Sequence, residues 1–429
     1  MIMKNNRRNF LKLAGAAGIG MLGNGFINNR TDSASFPPEV FFDEMVMESD
    51  ELSIIGSYGS WAAGLTEKEL PLFSFRRKEW NSLAKWKEAS GKRFRERLSV
   101  PDIGGVPKVI KERESVYDNL HIEELKWQLP YGPPTEAILL KPVKASGRLP
   151  GILAFHDHGG NKYFGTRKIT RISDQQHPLM VEHQKNYYEG RAWANEIAKR
   201  GYVVLVQDAF PFASRRVMLK DIPENQRQGL TDPAPEDSEG ITAYNQWASQ
   251  HESIMAKCLF SAGTTWPGVF LAEDLKALDI LSSREDVDAE RIGCCGLSGG
   301  GMRSVFLGGF DSRIKCAVPV GFMTTWRDLV LNKAFTHTWM TYVPLLPKEL
   351  DFPEILGLRV PQATLVLNDS EDQLFTNSEM HRADDMLRKI FDKAGAGDRY
   401  RCSFYPGPHK FDARMQEEAF GWFDKWFKG

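Results

Sequence analysis

The hydrophobic pattern changes rhythm once along the chain, near His121. In "SFRRKEWNSLAKWKEASGKRFRERLSV", ahead of that point, Trp80, Leu83, Trp86 and Phe94 recur on a roughly helical period with basic residues between them. Such a stretch predicts an amphipathic helix that packs its apolar stripe on a main domain and leaves Lys and Arg in water. From His121 onward, "HIEELKWQLP" and "TEAILLKPV" alternate as antiparallel strands do, with "YGPP" as the turn. Then "GILAF", "YVVLVQ", "RIGCC", "IKCAVPV" and "ATLVL" are apolar runs separated by helix-like segments such as "YYEGRAWANEIAKRG", "AEDLKALDILSSR" and "SEMHRADDMLRKIF". Apolar strands alternating with helices predict an α/β fold, a doubly wound and mostly parallel sheet. Ligands of such sheets sit beyond the carboxyl ends of the strands, and here each strand runs into a polar or glycine-rich turn. The pattern divides the chain into an N-terminal helical extension over 36–115 and a main domain over 116–429. Residues 321–350 break the alternation and read as an insertion over the strand ends.

Composition narrows the class. With 429 residues, 42% hydrophobic and 26% charged, the chain is long enough for a large domain plus an extension. A formal net charge of -1 leaves no basic field for nucleic acid or an anionic membrane surface. The first residues, "NNRRNFLKLAGAAGIGMLGNGF", resemble a twin-arginine export signal: Arg7 and Arg8 precede Phe10, Leu11 and Lys12, then a weakly apolar Gly/Ala run. That run is broken before the ~20 apolar residues a membrane span needs, and the mature chain is expected to have no span. Ser33 and Ser35 offer small residues for cleavage, so residues 1–35 are set aside as a signal. The resemblance implies the twin-arginine machinery as a partner and a bacterial periplasmic or secreted location. Five cysteines at 258, 294, 295, 316 and 402 match no zinc spacing and read as mostly buried free thiols.

The chemistry concentrates in "RIGCCGLSGGGMRSVFLGG". Gly296-Leu297-Ser298-Gly299-Gly300 is G-x-S-x-G between a buried strand and a helix, the context of a nucleophile elbow. A serine hydroxyl needs a base to take its proton, and in this class the order along the chain is serine, acid, histidine. Of His337, His381 and His409, only His409, in "YPGPHKF", follows the last strand at the sheet edge. The acid belongs in the turn "NDSEDQLF" after "ATLVL"; Asp372 lies one turn beyond the strand end, with Glu371 and Asp369 as alternatives. Ester chemistry also needs oxyanion donors: the Gly299 backbone N–H, and the Gly160 or Asn161 N–H in "HDHGGNKYFG", after the third strand. His156, Asp157 and His158 in that loop alternate faces and lack a further ligand set, so they shape the loop rather than hold metal. No metal or cofactor is required.

Taken together, "FHDHGG", "GLSGGG", "VGFMTTW", "LVLNDSEDQLF" and "YPGPHKF" resemble the acetyl xylan esterase-like, dienelactone-hydrolase-like branch of the α/β-hydrolases, over about 120–429. The resemblance implies a serine carboxylesterase with Ser298, Asp372 and His409 as its triad. The family pattern has glycine where this chain has Asp369 and Lys410, and dienelactone hydrolases proper use cysteine where it has Ser298. In the insertion, Trp326, Arg327, His337 and Trp339 are candidate substrate contacts, since aromatic faces stack on sugars and arginine pairs with a uronate. The expected substrate is a small-molecule or oligosaccharide ester carrying acetyl groups or uronate esters. Two other readings stand beside it. One is a serine peptidase of prolyl-oligopeptidase type, for which the N-terminal region is too short to form a propeller. The other is a catalytically dead, carbohydrate-binding hydrolase homologue.

Overall fold

The computed structural model describes residues 52–429; the export-signal reading and the first part of the extension lie outside the described residues. Strands β1 (Ile110–Tyr117), β2 (Leu120–Trp127), β3 (Thr135–Pro142), β4 (Leu149–Phe155), β5 (Val203–Gln207), β6 (Val287–Leu297), β7 (Ile314–Val320), β8 (Ala363–Asp369) and β9 (Tyr400–Tyr405) form one sheet. Its order is β1-β2-β3-β5-β4-β6-β7-β8-β9. The first strands pair antiparallel through β3–β5, and the pairs from β5–β4 to β8–β9 are parallel. Strand β1 was not anticipated. "IKERESVY" is charged at four consecutive positions and almost wholly exposed, so it carries no apolar face to announce it. Backbone pairing with β2, with ion pairs from Glu112, Arg113 and Glu114 to Lys126, Glu124 and His121, recruits it, and the sheet begins at Ile110, inside the stretch read as the extension.

Helices cover both faces. Ahead of the sheet lie α1 (Gly59–Glu67) and α2 (Leu83–Leu98). The hydroxyl of Ser82 caps α2 by accepting from the Lys85 N–H, so the helix starts later than its apolar period and Trp80 stays outside, its ring against Phe73. Between strands come α3 (Pro178–Tyr188), α4 (Trp193–Lys199), α5 (Ser238–Ser261), α6 (Trp266–Ser282), α7 (Gly299–Phe310), α8 (Phe352–Gly357) and α9 (Asn377–Lys393), and α10 (Ala413–Phe427) ends the chain. The segment expected as one helix over "YYEGRAWANEIAKRG" is two, because Glu189 (φ 55°) and Gly190 (φ 74°) turn the chain between α3 and α4.

Trp86, Phe94 and Leu98 of α2 join residues of α6, α7 and α9 in the core on one face, while α4 and α10 build the core on the other. Adjacent Cys294 and Cys295 on β6 point to opposite cores, as successive strand residues must. All five cysteines are free; Cys294, Cys295 and Cys316 are buried, and burial pushes the Cys294 thiol up to about 12, so it stays protonated and inert. Residues 321–350 hold short helical turns and no strand. Among the described residues no helix is long and apolar enough to cross a membrane.

Candidate active site

Strand β6 ends at Leu297, and the next residue bends the chain. Ser298 has φ 57° and ψ -120°, a conformation that costs a residue with a side chain about 1–3 kcal/mol. Two hydrogen bonds hold it there. Its N–H donates to the Val320 carbonyl on β7 at 2.9 Å, and its carbonyl accepts from the Met302 N–H in α7 at 2.9 Å. The surrounding glycines are steric. A Cβ on Gly296 would lie 2.5 Å from the Phe155 oxygen of β4, and one on Gly301 would lie 2.5 Å from the Val320 oxygen. Only bare backbone lets α7 start this close to the sheet.

The turn after β8 brings Asp372 to His409. The imidazole Nδ1 lies 2.6 Å from Asp372 Oδ2, and Oδ1 of the same carboxylate accepts from the Leu374 N–H at 2.9 Å. The acids that the sequence left as alternatives hold the loop instead of the ring. Glu371 accepts the Gly407 N–H at 3.2 Å, and Asp369 Oδ2 accepts the Lys410 N–H at 3.0 Å. The two departures from the family pattern, Asp369 and Lys410, therefore touch each other. His409 Nε2 is buried and has no hydrogen-bond partner among the described residues, Ser298 included; such contacts are commonly loose until substrate binds. Asp369, Asp372 and His409 have ligand-type atoms within 4.8 Å of one another. Their bonds to each other and to backbone make them an acid–base pair with a second acid behind it.

Two expectations follow from this packing. Gly321, at the end of β7, has φ 57°, and a Cβ there would lie 2.9 Å from His409 Cε1. Gly321→Ala should push the ring off its position and lower kcat about 100-fold, as a ~1 Å misplacement does; steady-state kinetics beside a melting curve would separate this from unfolding. Burial, reinforced by the charge of Asp372, raises the Asp369 carboxyl to about 8. The folded chain thus keeps a proton that the unfolded chain releases near pH ~4, so stability falls as pH rises from there toward about 8. Asp369→Asn cannot ionise and should melt above the wild type at pH 8 while matching it at pH 4; equal melting at both pH values would refute the assignment.

The loop after β4, the fourth strand once β1 is counted, differs in detail from expectation. The Gly160 N–H donates to His158 Nδ1 at 3.1 Å and the Asn161 N–H to the His158 carbonyl at 3.0 Å. Both are spent inside the loop, and Asn161 is not on the wall of the cavity. The backbone N of His158 instead lies 3.2 Å from where a Cβ of Gly299 would sit, and its N–H has no acceptor among the described residues. The imidazoles of this loop are used structurally. His156 Nε2 accepts the Ala209 N–H at 3.2 Å, and His158 Nε2 donates to Glu252 at 2.8 Å. Glu252 also takes the Lys162 ammonium, and although burial opposes its charge, these two partners hold its carboxyl down at about 2. Asp157, 1% exposed, accepts from His183 Nε2 at 3.1 Å and from the Tyr188 hydroxyl. Lys162, Lys168, His183, Tyr188 and Glu252 gave no sign in the sequence, because nothing in a polar loop or a mixed helix marks a charged residue as buried.

Ser298, Gly299, His158 and His409 open into one cavity of about 310 Å³, walled chiefly by Phe212, Phe270, Phe322, Met302, Met340 and Leu374. Of the candidate substrate contacts in the insertion, His337 lines it. Its ring sits against Phe322 and Phe375, and burial lowers its pKa, so it is neutral. Trp326 does not: it is 4% exposed, its Nε1–H donates to the Leu350 carbonyl at 3.1 Å, and its ring meets Phe352 edge-on. Arg327 is also elsewhere, paired with Glu379 at 3.0 Å and Glu67 at 3.2 Å. Trp339 is off the wall yet 42% exposed, between the lining residues Thr338 and Met340.

The sheet order, the helices on both faces and the serine at a strand-to-helix bend define the class: this is the α/β-hydrolase fold. No family model matches the chain. It is 26% identical over 318 residues to "Putative hydrolase YtaP" of Bacillus subtilis (strain 168), covering 74% of this chain and 90% of that protein. Among solved structures, a Bacteroides fragilis NCTC 9343 protein described as a "putative acetyl xylan esterase" superposes with a TM-score of 0.60 at 18% identity, covering 83% of this chain and 84% of its own. A glucuronoyl esterase from Solibacter usitatus superposes with a TM-score of 0.53 at 16% identity, over 84% of this chain and 98% of its own. At such identities the likeness establishes the fold.

Proposed function

We propose that the protein is a serine carboxylesterase that removes acetyl or similarly small apolar acyl groups from a carbohydrate. The observation that carries this reading is the strained Ser298 beside the His409–Asp372 pair, both opening into an apolar cavity. Ser298 Oγ attacks the ester carbonyl as His409 Nε2 takes its proton; Asp372 holds Nδ1–H and stabilises the imidazolium. The N–H groups of Gly299 and His158 receive the developing oxyanion. His409 then protonates the leaving alcohol and activates the water that frees the acid.

The apolar wall favours a neutral acyl group over a uronate, since Asp274 neutralises Arg303, the arginine on that wall, through Nε and Nη2, leaving Nη1 as an uncompensated donor but no net charge, and Arg327 lies outside. The carbohydrate part of the reading rests on the esterases of like fold and on Trp339 exposed beside the wall. Export through the twin-arginine route rests on the Arg7-Arg8 segment, and fractionation of expressing bacteria tests it. All nine strands lie in one sheet, so the described residues hold no propeller of the kind a prolyl oligopeptidase carries.

The test is hydrolysis by the purified protein of a short-chain aryl acetate, an acetylated xylan fragment and a methyl uronate, each beside a Ser298→Ala control. Serine-dependent acetate release supports the proposal. Activity on the methyl uronate alone would move the substrate to uronate esters, and silence on all three would overturn it. Trp339→Ala should raise KM on the xylan fragment several-fold and leave the aryl acetate unchanged; equal effects would remove Trp339 from sugar binding.

A further inference from the structure

Lys168 is the most deeply buried ammonium in the oxyanion loop region: its side chain is 0% exposed, and it lies outside the set of acid, base and nucleophile. It reaches two backbone carbonyls, those of Asp157 at 2.8 Å and His158 at 2.9 Å. The Asp157 carbonyl also receives His156 Nδ1 at 3.0 Å. Because the Ala209 N–H occupies His156 Nε2, Nδ1 carries the proton and donates it. Both lone pairs of that carbonyl are therefore filled. Across a trans peptide the C=O and the N–H point in opposite directions, and the N–H of this same peptide is that of His158, which faces Gly299.

We propose that Lys168 is a positioning residue for the oxyanion site: by holding the Asp157 carbonyl it fixes and polarises the Asp157–His158 peptide so that its N–H is aimed at the developing oxyanion. The proposal rests on the esterase reading above. Hydrogen bonds in a dry interior strengthen one another along a chain, and a cation at the carbonyl end makes the N–H end a better donor. The charged and titratable groups around the ammonium are Asp157, His156, His158, Lys162 and Asp208, with the Phe212 ring at 4.8 Å. Asp157 lies 3.9 Å away; burial opposes its charge, yet His183 and Lys168 hold its carboxyl well below the usual carboxylate range. Burial lowers the ammonium to about 8, with Asp157 opposing the shift. The two carbonyls that the ammonium holds, those of Asp157 and His158, flank the donor N–H.

The test compares wild type, Lys168→Met and Ser298→Ala on one aryl ester, after checking each fold by its melting curve. Deleting an oxyanion donor outright costs about 10²–10³ in kcat, and weakening one should cost ~10-fold. Lys168→Met is therefore expected to lose ~10-fold in kcat with KM within twofold, and to bind a boronic acid transition-state mimic weaker by the same ~10-fold. A lysine that merely stiffens the loop would leave that ratio of mimic to substrate affinity unchanged, and this outcome overturns the proposal. If Ser298→Ala keeps its activity, the esterase reading fails instead. Should Lys168→Met not fold, the wild type decides: the ¹⁵N amide shift of His158 should step with a midpoint at about 8, where Lys168 titrates. The step should persist in Asp369→Asn, which removes the other group raised to about 8, and in Lys162→Met, whose ammonium reaches Glu252 rather than the peptide. A flat shift, or a step lost with Lys162 or with Asp369, overturns the assignment.

Discussion

Ser298→Ala is expected to lower kcat on any ester the protein cleaves by about 10⁴-fold or more, with KM little changed. The variant deletes the attacking oxygen but keeps the Gly299 and His158 N–H groups and the cavity, so a residual rate above water should survive. Its stability should barely move, because alanine also carries a Cβ and feels the same strain at φ 57°. Ser298→Gly separates the two effects. It should be as inactive, yet more stable by ~1 kcal/mol, since glycine populates positive φ freely. Steady-state kinetics on an aryl acetate and melting curves on both variants check this. Retention of more than a tenth of the activity in either would remove Ser298 from the chemistry.

Asp372→Asn is the second large effect, about 10⁴-fold in kcat. The carboxylate accepts from the Leu374 N–H with Oδ1 and meets His409 Nδ1 at 2.6 Å with Oδ2, so it fixes the tautomer with the lone pair on Nε2. An asparagine amide turned toward Nδ1 donates instead of accepting. The proton then sits on Nε2 and the ring cannot take one from Ser298. Substrate binding does not involve this carboxyl, so KM should hold within a few-fold. Glu371→Gln is the control: it should lower the melting temperature slightly, through its bond to Gly407, and leave kcat nearly intact. The reverse ranking would mean that the wrong acid has been assigned.

The sheet was legible where both faces of a strand are buried. The central residues of "YVVLVQ" and "ATLVL" are apolar and buried on both faces, and composition announces that. Strand β1 was not legible because its charged side chains lie largely in water, where they pair with Glu124, His121 and Lys126 of β2, and no apolar alternation marks it. In the site, the placement of Ser298 at the strand-to-helix bend and the pairing of Asp372 with His409 could be read because each residue follows a recognisable strand end. The oxyanion loop misled in one respect. "HGGN" points to Gly160 and Asn161, but which N–H is free depends on the His158 ring accepting from Gly160, a tautomer choice no sequence records. Two of the four candidate substrate contacts, Trp326 and Arg327, lie off the cavity for a related reason, while His337 lines it. Trp326 and Arg327 have the chemistry to bind a sugar acid, yet Phe352 and Glu379, distant in sequence, claim them first.

Strand β1 has a consequence beyond pairing. Among the described residues it ends the sheet, with one row of backbone N–H and C=O groups unpaired, an invitation for another chain to add its own strand. Lys111, Glu112, Arg113 and Glu114 sit along that border, and the register slips between Lys111 and Arg113. An incoming strand would have to strip water from this row of charges and match a broken ladder. The irregular, charged strand that sequence patterning passed over thus disfavours edge-to-edge pairing with another chain.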